Sequence, residues 1–88
     1  MKNDYLYIVY GAVWDKFGFT AWECLGYWLS MGTAKSDVLK KQKSGNLVKH
    51  NILTVEIRKT KLGRTSPTTV TYQANYDRGE WKVAECKH

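Results

Sequence analysis

The chain has 88 residues, 43% hydrophobic and 14% aromatic, with fourteen Lys and Arg against eight Asp and Glu for a net charge of +6. This length limits it to one domain, residues 1–88, and the apolar content excludes a disordered tail. No apolar run approaches the ~18 residues of a membrane-spanning helix, and Trp14-Asp15-Lys16 stands where a signal peptide would need small residues, so a cytoplasmic location is expected.

The first segment reads two ways. Tyr5-Leu-Tyr-Ile-Val-Tyr10 is rich in strand formers. Leu6, Val9, Val13 and Phe17 also follow helical spacing, with Asn3 or Asp4 available as N-cap. The helical reading gives a helix over 4–16 stopped at Gly18. Thr20-Ala-Trp-Glu23 has the form of a capping box, followed by Ala21, Leu25, Trp28 and Leu29 on one helical face, with Gly32 as the stop. A further helix is predicted over about 34–43, capped by Thr33 or Ser36, with Ala34 and Val38 inward and Ser36, Lys40 and Lys43 outward; Ser44-Gly45-Asn46 ends it. Lys41 fits poorly, since it falls near the inward face.

The remainder alternates with period two. Leu53, Val55 and Ile57 take one face of a predicted strand, and Val70, Tyr72, Ala74 and Tyr76 one face of another. Asp77-Arg78-Gly79 is a tight turn into a third strand with Trp81 and Val83 inward. The four Trp are expected in the core, Trp28 among them.

Charge is concentrated. Residues 35–64 hold nine basic residues against Asp37 and Glu56, a balance of +7, so the rest of the chain is close to neutral. A focused basic block points to a polyanionic partner; the alternative is a face kept soluble by charge.

Two helices with a Gly-containing turn, then Ser44-Gly-Asn-Leu-Val48, then a ribbon with a basic loop at Arg58–Ser66, form an order that resembles winged helix-turn-helix domains over Thr20–Tyr72. The likeness is closest to small regulators of bacteria, phages and plasmids. It implies an α+β fold with helices in the N-terminal half followed by an antiparallel ribbon or three-stranded meander. It further implies a sequence-specific transcriptional regulator that binds duplex DNA as a homodimer. The residues carrying that function are Thr33, Lys35, Ser36, Lys40, Lys43 and Lys49 on and after the recognition helix, and Arg58, Lys59, Lys61 and Arg64 on the wing. Lys41 and Gln42 depart from the pattern, where such families keep a Leu toward the core.

No enzyme, cofactor or metal is expected. The acids are scattered, Cys24 with Cys86-x-His88 matches no zinc spacing, and no Gly-rich loop has phosphate-cradle spacing. A rival follows if Tyr5–Tyr10 is a strand: a small α+β inhibitor encoded by a mobile element. It would block a host nucleic-acid enzyme by docking its basic patch on an acidic protein surface.

Overall fold

In the computed structural model, which describes residues 5–62 and 68–84, five strands make one antiparallel sheet and two helices cover one of its faces. The elements run β1 (Tyr5–Asp15), β2 (Gly18–Trp28), α1 (Met31–Ser44), α2 (Asn46–Lys49), β3 (Ile52–Lys61), β4 (Thr69–Asp77) and β5 (Glu80–Ala84). Their order across the sheet is β2-β1-β3-β4-β5. α1 packs on β1, β2 and β3.

This arrangement overturns the winged helix-turn-helix expectation. The predicted helix over 4–16 is β1, and the predicted positioning helix after Thr20 is β2, so the N-terminal half is a hairpin rather than a helical pair. The physical reason is that β1 is hydrogen-bonded on both sides. It pairs with β2 from Tyr7↔Trp28 to Asp15↔Gly18, and with β3 from Tyr5↔Lys61 to Val13↔Ile52. Two ladders satisfy its backbone groups more completely than a marginal helix of β-branched and aromatic residues would. The hairpin turns at Lys16 and Phe17, where the Phe17 N–H donates to Asp15 Oδ1 at 2.7 Å and Gly18 takes a φ of 115°. The apparent capping box serves the sheet instead. The Thr20 hydroxyl donates to the Val13 carbonyl at 2.9 Å, beside the register shift between Val13 and Trp14, and Glu23 is exposed on the edge strand.

The predicted helix near 34–43 is present as α1, with different ends. Ser30, not Thr33 or Ser36, is its N-cap and accepts from the Thr33 N–H. Gly32 therefore lies in the first turn rather than ending a previous helix. Gly45 ends α1 with a φ of 78°, as the Ser44-Gly45-Asn46 signal implied. Ala34 and Val38 are fully buried. Lys41 is accommodated at the margin of the buried face because its ammonium meets the Asp37 carboxylate one turn earlier at 2.8 Å.

The core joins Ala34, Val38 and Leu47 of the helices to Val9, Ile52, Val55, Ile57, Tyr72 and Ala74 of the sheet, with Trp28 and Trp81 packed at its margin. Three inward assignments change. Ile52 enters the core in place of Leu53, because the β1–β3 register shifts between Ala12 and Val13. Val70 leaves the face of Tyr72, because the β3–β4 register shifts between Ile57 and Arg58. Val83 is 66% exposed on the edge strand β5. The Asp77–Glu80 turn forms as predicted, with Arg78 and Gly79 both at positive φ, the geometry of a two-residue hairpin.

Gly11 is the point of closest approach. A Cβ there would stand 2.7 Å from Ile52 Cγ2 and 3.0 Å from Leu25 Cδ1. Gly11→Ala is expected to cost about 1–3 kcal/mol through overpacking, measured as a lowered urea midpoint. An unchanged midpoint would mean that β2 and β3 are not held this closely over β1.

Candidate functional site

The sheet separates two kinds of surface. On its helix-covered side, α1 turns Thr33, Ser36, Leu39, Lys40 and Lys43 outward, all exposed. Lys35 lies on the flank of α1 with its ammonium 5.6 Å from the Tyr72 ring centroid, and the Tyr72 hydroxyl meets Gln42 Nε2 at 3.3 Å. Lys49 is exposed at the end of α2. Beyond the N-terminus of α1, Lys59 and Lys61 share a face of β3 with Ile57, and Lys59 places its ammonium 4.0 Å from the Tyr5 ring centroid. Six lysines (Lys35, Lys40, Lys43, Lys49, Lys59 and Lys61) thus lie on one side of the sheet. The acids there, among the described residues, are Asp37, which is paired with Lys41, Glu23, and Asp15 at the hairpin turn. The Lys35 and Lys59 ammoniums are thus set against the Tyr72 and Tyr5 rings rather than against a carboxylate.

Arg58 stands apart from these lysines. Alternation along β3 puts it on the opposite face, across from Ile8. Its Cζ is 4.3 Å from the Tyr10 ring centroid and 4.7 Å from that of Trp22, so the guanidinium lies between two aromatic rings. Its Nε donates to Glu56 Oε1 at 2.8 Å. An ion pair and two cation–π contacts hold it in the sheet surface, where it acts as a packing element. Of the ten positions singled out from the sequence, eight therefore fall on the helix side, Arg58 does not, and Arg64 lies outside the described residues.

The opposite face has a composition that sequence reasoning missed. β1 turns Leu6, Ile8, Tyr10, Ala12 and Trp14 toward it, and β2 turns Phe19, Trp22 and Tyr27. Trp14 and Phe19 meet edge to face at 5.7 Å, and Phe19 and Trp22 are tilted at the same separation. Trp22 is 39% exposed, contrary to the expectation that all four Trp are core. The signal was the alternation of Leu6, Ile8, Tyr10, Ala12 and Trp14, which helical spacing overlaid. Toward β3–β5 the same face is polar, with Thr54 donating to Asn75 Oδ1 at 2.9 Å.

A cleft of about 430 Å³ between α2 and the hairpin is lined by Val13, Glu23, Leu25, Lys41, Asn46, Leu47, His50 and Ile52. Two of its polar groups are engaged elsewhere. Lys41 is held by Asp37, and His50 Nδ1 lies 2.8 Å from the Asn46 carbonyl. Glu23 has no acid or base partner at hydrogen-bond distance among the described residues, so the cleft presents no acid–base couple there. No described helix is long and apolar enough to cross a membrane.

No protein-family model, no curated protein and no solved structure matches the chain.

Substituting Arg58 by Met should leave the nearly buried Glu56 carboxylate without its cation and cost about 2–3 kcal/mol, read from urea denaturation. Adding Glu56→Gln should recover part of the loss. A single variant with the wild-type midpoint would show that the pair contributes nothing.

Proposed function

We propose that the chain is a cytoplasmic, non-catalytic binding protein that holds duplex nucleic acid by its phosphate backbone through the helix-covered side of the sheet. The observation that carries this reading is the one-sided array of six lysines, against which stand two acids without an ion-pair partner among the described residues, Glu23 and Asp15. Its chemistry favours phosphates over an acidic protein surface. Protein interfaces concentrate their energy in Trp, Tyr and Arg anchors, whereas among the described residues this array exposes one such side chain, Tyr5, which is engaged by the Lys59 ammonium. Lysines on flexible stems are point charges suited to a backbone of repeating anions.

The partner remains the one that the charge block pointed to, and the mode differs. α1 lies flat against a sheet wider than itself, with a molecular cross-section of 24 by 23 Å. A major groove ~12 Å wide admits a projecting helix, so here contact runs across the groove edges to phosphates. Thr33 and Ser36, exposed near the start of α1, add hydroxyl donors to the same surface. Arg58 belongs to the other face and takes no part.

Two measurements test this. Neutralising six phosphates should give a slope of log K against log salt of about −5 on a mixed-sequence duplex. Lys40→Glu with Lys43→Glu, and separately Lys59→Glu, should weaken binding at least tenfold at ~50 mM salt and flatten that slope, with little dependence on duplex sequence. Absence of binding at that salt, or charge-reversal variants binding like wild type, would overturn the assignment.

A further inference from the structure

An antiparallel sheet covered on one side ordinarily alternates apolar residues inward with polar residues outward. β1 breaks that rule, since Leu6, Ile8, Tyr10, Ala12 and Trp14 all face away from the helices, Ala12 buried and the other four half-buried. The neighbouring positions on β2 continue the patch with Phe19, Trp22 and Tyr27, which are 47%, 39% and 68% exposed. No helix or strand lies over this face among the described residues. A contiguous aromatic and aliphatic patch of this kind on an otherwise polar protein marks an interaction surface.

We propose that a second copy of this chain docks on this face, the two sheets packing open face to open face about a two-fold axis. Charge decides the occupant. The six lysines lie on the far side of the sheet, while the open face sets Arg58 against Glu56 and Lys82 against Asp77, with Glu80 at its β5 edge. Two open faces in contact, with sheets ~10 Å apart, leave the lysines of α1 and α2 separated by two sheets and two helical layers, and Lys59 and Lys61 by the two sheets. The helix-borne lysines then lie several times the ~8–10 Å screening length apart and the β3 lysines about twice that length, so the net positive charge opposes association only weakly in this orientation. Packing by the helix sides would bring the arrays together.

Area agrees with the same occupant. The molecular extents of 43 and 24 Å bound a face of about 1,000 Å², so the ~800 Å² per partner of a standard stable interface is reached when the polar β3–β5 part is covered along with the β1–β2 rings. An unpaired nucleic-acid strand suits the face less well. Its phosphates would find one unpaired cation beside the rings among the described residues, Lys16 at the hairpin turn, since Arg58 is bound to Glu56. Trp14, Phe19 and Trp22 lean on one another rather than presenting open ring faces for bases.

Sedimentation equilibrium of the full chain without nucleic acid tests the proposal. Wild-type protein should show reversible association from 10.2 kDa to twice that mass as concentration rises. Phe19→Glu and Tyr27→Glu, both on exposed positions of the edge strand, should raise the dimer dissociation constant at least tenfold. Val83→Glu, equally exposed on the helix side of β5, should leave it unchanged. Circular dichroism of each variant separates lost association from lost folding, and either open-face variant that folds suffices. A monomer at all concentrations up to ~1 mM, or a dimer indifferent to both folded open-face variants, would overturn the proposal. So would a monomeric wild type that binds an unpaired oligonucleotide through these rings.

Discussion

Every other feature of this molecule depends on β1 being paired along both edges. A strand hydrogen-bonded on one side leaves half its backbone groups to water; β1 leaves almost none, because β2 and β3 take alternate amides from Tyr7 to Val13. That double pairing fixes which residues point which way. Tyr7, Val9, Gly11 and Val13 face the helices, and Leu6, Ile8, Tyr10, Ala12 and Trp14 face away. A one-residue slip would exchange the two sets and bury Tyr10 and Trp14 under α1, where Val9 and Gly11 now leave room for Val38 and Leu25. Gly11 sets the clearance for the hairpin and β3, and α1 can then seal Ala34 and Val38 against Val9, Val55 and Ile57.

From that register follows the division of the surface. The same alternation that directs Ile57 to the core directs Lys59 and Lys61 to the helix side and Arg58 to the other. Adjacent basic residues on β3 therefore end in different chemistry. Lys59 sets its ammonium against the Tyr5 ring with no carboxylate partner among the described residues, while Arg58 is inserted between Tyr10 and Trp22 and tied to Glu56. Guanidinium is the group suited to that second place, being planar, weakly hydrated and able to stack while donating to a carboxylate. Counting charge along the chain treats these neighbours as equivalent. The fold makes one a free cation and the other part of the sheet surface.

Legibility in the sequence followed the same division. The second half could be read because its strands are apolar on one side only. Val55 and Ile57, then Tyr72 and Ala74, alternate against Thr54, Glu56, Gln73 and Asn75, and Arg78-Gly79 announces its turn. α1 was legible from Ala34, Val38 and the Gly45 stop. The first half could not be read this way because β1 is apolar on both faces. A run such as Leu6-Tyr-Ile-Val-Tyr-Gly-Ala-Val13 contains a helical 3.6-residue spacing as easily as a two-residue one, and its period carries no information. What decides between them is the presence of two partner strands, a long-range fact that no local window holds. Thr20 and Glu23 misled for a related reason: a hydroxyl and a carboxylate three residues apart cap a helix only when the intervening residues are helical. The lysines on α1 were found from their spacing, whereas the aromatic face went unseen because it exists only once β1 and β2 lie side by side.

Backbone proton contacts measured by nuclear magnetic resonance test the account at its root. Double pairing of β1 predicts that Gly11 shows interstrand contacts both to Glu23 on β2 and to Val55 on β3, with extended-chain couplings from Leu6 to Val13. Contacts three residues apart along that same stretch, with none to β3, would make the segment a helix. The division of lysines from aromatics would then have no sheet to rest on.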